Sequence, residues 1–188
     1  MMTISDIKEL FEQKFINHFD KLSVISKDRQ FSLCNFKNQF LNFDKIAKEY
    51  HPTWATTDMI FFNLEREFII FVEYKNSKMK STEKAKIKQK FLDSFALLYK
   101  ILETEEKEEF WHFKTYLLFV TNKDKNPNQV NRKTYLGSEQ ILNILESDII
   151  LYGFERYKGW YFDEIKTPFC DEFPALMETE FNVLLEPE

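Results

Sequence analysis

Glycine is almost missing from this chain: three in 188 residues, at positions 137, 153 and 159. That excludes the Gly-rich loop of nucleotide-driven motors and the dinucleotide fingerprint, both of which need bare backbone close to phosphate. Histidine is equally scarce. His18, His51 and His112 form no HExxH and no pair at zinc-ligand spacing, so zinc hydrolases are disfavoured. No serine sits in a GxSxG elbow. Only two cysteines occur, Cys34 and Cys170, far apart and without a neighbouring His or Cys. They read as two reduced thiols in a cytosolic protein. No apolar run approaches the roughly 20 residues that span a bilayer. The opening MMTISDIKELFEQKF has no basic lead into an apolar core and does not read as a secretory signal. A cytoplasmic protein with no membrane contact is expected. Of the common catalytic chemistries, a metal site built from carboxylates is left.

Apolar and aromatic residues are plentiful. The 44% hydrophobic content, with 21 Phe, suffices for a sizeable core, and 30% charge keeps it soluble. The net charge of −5 does not suggest a nucleic-acid binder, but it is unevenly spread. Residues 163–188 hold eight acids and one base, or −7, which leaves +2 for residues 1–162. A local basic surface is therefore compatible with the acidic total. The expected organisation is a single domain over 1–162 and an acidic C-terminal extension over 163–188, packed on it or trailing from it.

Periodicity orders the elements. Residues 5–20 read as an amphipathic helix, with Ile7, Leu10, Phe11, Phe15 and Phe19 at spacings of one to four and Ser5 as cap. Phe31, Leu33 and Asn35 alternate as a first strand, and 43–52 is a short link ending at Pro52. A hairpin covers Asp58 to Lys75. The clearest helix is 81–103, with an apolar stripe of Ile87, Phe91, Phe95, Leu98 and Leu102 and an opposite face of Lys86, Gln89, Lys90 and Asp93. An acidic turn (103–109), a buried strand (113–122), a basic loop (123–133), a helix (138–147) and a second hairpin turning at Arg156–Gly159 follow. This is a mixed α/β domain with a central sheet covered by helices.

Chemistry concentrates in DMIFFNLEREFIIFVEYK, residues 58–75. Both faces of its second strand are apolar until the end, as in a central strand. If Glu65-Arg66 is the turn, paired residue numbers sum to 131 and Asp58 lies opposite Glu73. Opposed side chains share a face, with Cβ atoms about 4.5–5.5 Å apart. Two carboxylates so close call for a cation, and Mg²⁺ takes one or two carboxylates together with water and substrate phosphate. Lys75 points into the same space, where it can bind phosphate, orient water or stabilise developing charge. A loop one residue longer would put Glu73 on the wrong face. Glu-x-Lys alone carries no weight, because it occurs four times. The nearest decoy is Glu164–Lys166 behind Asp148. With the second hairpin turning at Arg156–Gly159, Glu164 would oppose Leu151 rather than Asp148.

The arrangement resembles the PD-(D/E)XK nuclease superfamily: an acid at the start of one strand, Glu-Tyr-Lys at the end of the next, then a helix and another strand. Here these are Asp58, Glu73-Tyr74-Lys75, 81–103 and 113–122, with the first helix and strand completing an αβββαβ core. The likeness covers about residues 5–122 and departs in having Thr57, not Pro, before the acid. It implies a restriction-endonuclease-like fold, with a mixed central sheet flanked by helices and an added C-terminal hairpin and acidic tail. It also implies Mg²⁺- or Mn²⁺-dependent cleavage of phosphodiesters, usually in DNA. Asp58, Glu73 and the Tyr74 carbonyl would bind the metal and Lys75 would assist catalysis. Glu9 or Glu12 on the first helix and Gln89 on the later one are secondary candidates. Lys78, Lys80, Lys84, Lys86 and Lys90 directly follow the motif and are candidate phosphate contacts. A non-catalytic nucleic-acid- or protein-binding module on the same fold is the alternative. A homodimer, and a protein partner docked through the acidic C-terminal region, are further candidate associations.

Overall fold

The computed structural model describes residues 2–28, 31–102, 113–129 and 150–188. The expected acidic turn 103–109, the helix 138–147 and most of the second half of the basic loop lie outside them. Helix α1 (Ile4–Lys14) is capped by Thr3, whose hydroxyl accepts from the Asp6 amide while the Asp6 carboxylate accepts from the Thr3 amide. This reciprocal pair satisfies two otherwise orphaned donors, so the helix begins before Ser5. It buries Ile4, Ile7 and Phe11 and stops at Lys14, well short of residue 20. A strand, β1 (Phe19–Lys21), and a single turn, α2 (Leu22–Ile25), follow.

The segment expected as the first sheet strand does something else. β2 (Lys27–Asp28) and β3 (Phe31–Ser32) form a separate two-stranded ribbon. The sheet strand is β4 (Gln39–Asn42), whose Phe40 and Leu41 are buried on opposite faces. Helix α3 (Phe43–Tyr50) starts at an Asn42 cap, and the hairpin follows as β5 (Met59–Asn63) and β6 (Phe68–Lys75). Helix α4 (Ser81–Leu102) carries the chain across to β7 (Lys114–Thr121), which lies parallel to β6 as a crossover connection allows.

One six-stranded mixed sheet results, in the order β1-β4-β5-β6-β7-β8, where β8 is Glu164–Lys166. β8 runs parallel to β7 and, among the described residues, forms no hairpin with those before it. The expected second hairpin fails because Tyr152 and Gly153 both have left-handed backbones (φ 65° and 76°), which ends any extended run there. The chain instead makes a 3₁₀ turn at Phe154–Tyr157. Helix α5 (Phe173–Phe181) then packs Phe173, Met177 and Phe181 against one face of the sheet. The acidic C-terminal segment is thus built into the sheet. Its acids pair with bases elsewhere, Glu180 with Arg66, Asp171 with Lys123, Glu186 with Lys37 and Glu188 with Lys21, and Glu180 also pairs with the segment's own Lys166. The α/β class and the central sheet flanked by helices are as the periodicity indicates. Among the described residues no helix is long and apolar enough to cross a membrane.

Two cores sandwich the sheet. Ile60, Ile69, Phe71, Leu117 and Phe119 meet α1, α3 and α4 on one side. Met59, Ile70, Val72, Tyr74 and Leu118 meet α2 and α5 on the other. The centre of the first is aromatic: the Phe71 ring lies 5.2 Å from Phe95, 6.0 Å from Phe162 and 6.1 Å from Phe43. With a core on each face, β6 is held in one register, since a slip of one residue would exchange all its side chains between the cores.

Candidate functional site

The hairpin connection is a four-residue loop, 64–67, and not a two-residue turn. Asn63 Oδ1 accepts from the Arg66 amide (2.8 Å), and Glu67 closes the loop in the left-handed region (φ 56°). Two additional loop residues preserve the pairing parity. Asn63 opposes Phe68 and Met59 opposes Val72, so paired numbers sum to 131, and Asp58, one residue before the ladder begins, falls on the side of Glu73 that this register implies. Asp58 Oδ2 accepts from the Tyr74 amide at 2.7 Å, which ties the first carboxylate to the strand carrying the second.

Helix α4 positions Asp58 from the other side. The Thr57 amide donates to Ser94 Oγ (2.8 Å), Ser94 Oγ donates to the Lys90 carbonyl (2.7 Å), and the Ala55 amide donates to Asp93 Oδ2 (3.2 Å). Gln89, a sequence candidate for the site, is exposed and donates to Asp93 Oδ1 (2.7 Å). It therefore supports the anchor of the Asp58 loop and does not enter the site.

The decisive contact is one that helix periodicity misassigned. Lys90 reaches inward, its Nζ 3.0 Å from Asp58 Oδ1 and 2.8 Å from each Glu73 oxygen. The stripe of α4 facing the sheet runs 87, 90, 94, 97, 101, with Ile87, Ser94, Leu97 and Ile101 all buried. Lys90 falls within it, so the expected phosphate contact at Lys90 is corrected to an internal ion bridge. Its alternation of three and four with Ile87 and Ser94 is the sequence signal that marks it.

Glu73 is 3% exposed, which makes its charge costly. Burial, then repulsion from Asp58, pushes the Glu73 carboxyl up to about 8 against the pull of Lys90. Burial also raises Asp58, opposed by Lys90 and the Tyr74 amide. For Lys90, burial acts to lower the pKa, but the Glu73 and Asp58 carboxylates outweigh it and hold the ammonium charged. One cation thus faces two acids, leaving room for a proton or a second positive charge.

Around this cluster lies an open cleft of about 370 Å³. One wall is Ile25, Ser26 and Lys27; the floor is Asp58, Glu73, Tyr74 and Lys75; the other wall is Glu83, Lys86, Ile87 and Lys90. Lys75 shares Glu73's face and donates to Glu83 Oε2 at 2.6 Å, a bond that holds the Glu83 carboxyl below its usual range. Lys86 rims the cleft with a largely exposed side chain. Lys78 and Lys80 are exposed on the approach to α4, and Lys84 is half-buried; none of the three lines the cleft. Glu9 and Glu12 are not at the site: they bond Gln13 and Lys8 along the exposed side of α1. Glu83, and the wall at Ser26 and Lys27, carry no local sequence signal, because only the folded chain brings them to the motif. The decoy Glu164 lies on the edge strand β8, paired with Lys158 at 2.6 Å.

Two carboxylates, one of them buried, converge on one small cationic position, and the Lys90 ammonium shows that a cation fits there. The Lys75 carbonyl accepts from the Asn122 amide on the β7 side, so backbone alternation turns the Tyr74 carbonyl toward the β5 side, where Asp58 lies. The donor set therefore suits a hard divalent ion in place of Lys90. Among the described residues no cluster of three or more His, Cys, Asp or Glu is assembled for a metal. The chain matches no family model, no curated protein and no solved structure.

Replacing Lys90 with Met leaves the two acids without a counter-charge. The expected cost is about 3 kcal/mol, the low end for breaking a buried ion pair, because the carboxyls can protonate instead. Urea unfolding measures it; a loss under ~0.5 kcal/mol would mean the bridge contributes little.

The raised Glu73 pKa predicts the sign of a pH effect. The folded chain holds this proton more tightly than the unfolded chain, so the stabilisation is full below about 4.5 and is lost as pH rises to about 8. Across that interval wild type should lose stability more steeply than Glu73→Gln in urea midpoints. Parallel slopes would contradict it.

Proposed function

We propose that the chain is a metal-dependent nuclease of the PD-(D/E)XK type, acting on DNA phosphodiesters. The observation that carries this reading is the convergence of the Asp58 and Glu73 carboxylates on one cationic position in the cleft, with Lys75 two residues beyond Glu73 on the same face. The order of elements supports it: α1, the antiparallel β4, β5 and β6, the crossover α4 and parallel β7 follow the sequence of an αβββαβ core, with β1, α2 and the β2–β3 ribbon inserted before β4, α3 between β4 and β5, and β8 added at the far edge.

Asp58, Glu73 and the Tyr74 carbonyl would hold Mg²⁺ or Mn²⁺ with Lys90 withdrawn. When bound, the ion supplies a Lewis acid that draws charge from a phosphodiester oxygen. Lys75, now held by Glu83, is placed to turn to the scissile phosphate and stabilise its growing negative charge or orient the attacking water. Lys27 and Lys86, on opposite walls, neutralise phosphates on either side of the cut. Lys78 and Lys80 extend that basic surface beyond the cleft. A homodimer would double that surface.

One observation favours the second reading, a binding module without turnover: Lys90 already occupies the space between the two carboxylates and bonds both. The two readings separate in a single assay of plasmid DNA. The nuclease reading expects nicking or cutting with Mg²⁺ or Mn²⁺, none with EDTA, and a rate about a hundredfold or more lower in Lys75→Ala with the fold intact by circular dichroism. Undiminished cutting by Lys75→Ala would sink the assignment of the site. Retarded DNA with no metal-dependent cutting by wild type would establish the binding module instead.

A further inference from the structure

Behind the motif strand, on the face opposite the carboxylates, the chain's two cysteines meet. Separated by 136 positions, Cys34 and Cys170 have their Sγ atoms 3.1 Å apart. Each is held by hydrogen bonds to ordered structure. Ser26 Oγ accepts from the Cys34 amide and donates to the Cys34 carbonyl, both at 3.1 Å. The Cys170 amide donates to the carbonyl of Thr121 at the end of β7 (2.9 Å), beside the bridge between Thr121 and Phe169. Among the described residues no group of three or more His, Cys, Asp or Glu is assembled for a metal at the pair. From this separation, a sulfur–sulfur bond of about 2.0 Å needs only about 1 Å of approach.

We propose that Cys34 and Cys170 are a redox-active pair that closes to an intramolecular disulfide by exchange with a low-molecular-weight disulfide. Both thiols are free in the structure, in keeping with two reduced cysteines, and the proposal does not rest on the nuclease reading. Exposure divides the roles. Cys34 is 1% exposed, whereas Cys170 is partly exposed, its Sγ donating to the Leu33 carbonyl at 2.6 Å, and is the better placed of the two to meet an external reagent. The neighbouring Cys34 thiol, by hydrogen bonding, also holds the Cys170 thiol below its usual range. The Cys170 thiolate attacks one sulfur of the reagent RS–SR, forming a mixed disulfide and expelling RS⁻, which takes up a proton. Cys34 then gives up its proton and attacks Cys170 Sγ, forming the internal disulfide and expelling the second RS⁻, also protonated. Two thiols are oxidised, one disulfide is reduced to two RSH, and no other oxidant is needed.

The bond would join two distant parts of the chain. Cys34 is clamped to Ser26, which lines the cleft wall, and Cys170 lies between β8 and α5. Oxidation would therefore fix that wall to the C-terminal segment behind Tyr74, whose ring packs 5.8 Å from Phe173. Closing so long a loop restricts the unfolded chain and raises the melting temperature.

The test treats reduced full-length protein with oxidised glutathione under native conditions. Wild type should lose the mass of two hydrogens and give one peptide linking Cys34 to Cys170. Cys34→Ser, which lacks the resolving thiol, should stop with glutathione on Cys170. Oxidised wild type should melt several degrees above reduced wild type. Wild type that keeps two alkylatable thiols, stops at the glutathione adduct, or melts lower once oxidised would overturn the proposal.

Discussion

The Lys90 ammonium lies between two carboxylates that the hairpin register forces together, and much of the site is arranged around that meeting. A buried acid at Glu73 is tolerable only beside a cation or as the protonated form. Lys90 supplies the cation from α4, and the same helix pins the loop before Asp58 through Ser94 and Asp93. Sheet, crossover helix and loop thus share one small polar cluster at the edge of an otherwise apolar interface. Such clusters are high-stakes: satisfied, they fix a single arrangement, and half-satisfied they cost more than an apolar core.

The central strand explains why chemistry gathers at one end. β6 is buried on both faces from Ile69 to Tyr74, and its charged side chains come only past the residue that pairs with the first of β5, where the cleft opens. Its two faces then diverge. Glu73 and Lys75 face α4 and the cleft, while Tyr74 faces α5, on the side where the thiol pair lies. Adjacent residues of one strand therefore connect an acid–base cluster on one side to a sulfur pair on the other. The Tyr74 amide, bonded to Asp58, is the point where a shift behind the strand would be felt in front of it.

What could be read in the sequence was local. The doubly apolar pattern of 68–74 identifies a central strand, and the parity of the 58–75 segment brings Asp58 to Glu73 even though the loop has four residues and not two. Helix α4 follows from its periodicity and strand β7 from its length and aromatic content, while α3 falls in a segment that reads only as a short link. Failures came where a backbone angle or a tertiary contact decides. Two left-handed residues, Tyr152 and Gly153, break what alternation suggests is a hairpin. Lys90 reads as a solvated lysine because its charge hides its place in the buried stripe of α4. Cys34 and Cys170 read as unrelated because 136 positions say nothing about distance in space. Glu83 and Lys27 join the cleft only when the crossover and the small ribbon are in place.

The central claim is that the space between Asp58 and Glu73 is a cation site in which Lys90 stands in for a divalent ion. The most direct measurement is anomalous scattering from a crystal soaked in Mn²⁺. The account predicts a peak between the Asp58 and Glu73 carboxylates, within reach of the Tyr74 carbonyl, with the Lys90 ammonium withdrawn from both acids. Lys90 still hydrogen-bonded to both carboxylates, with no peak between them, would contradict it.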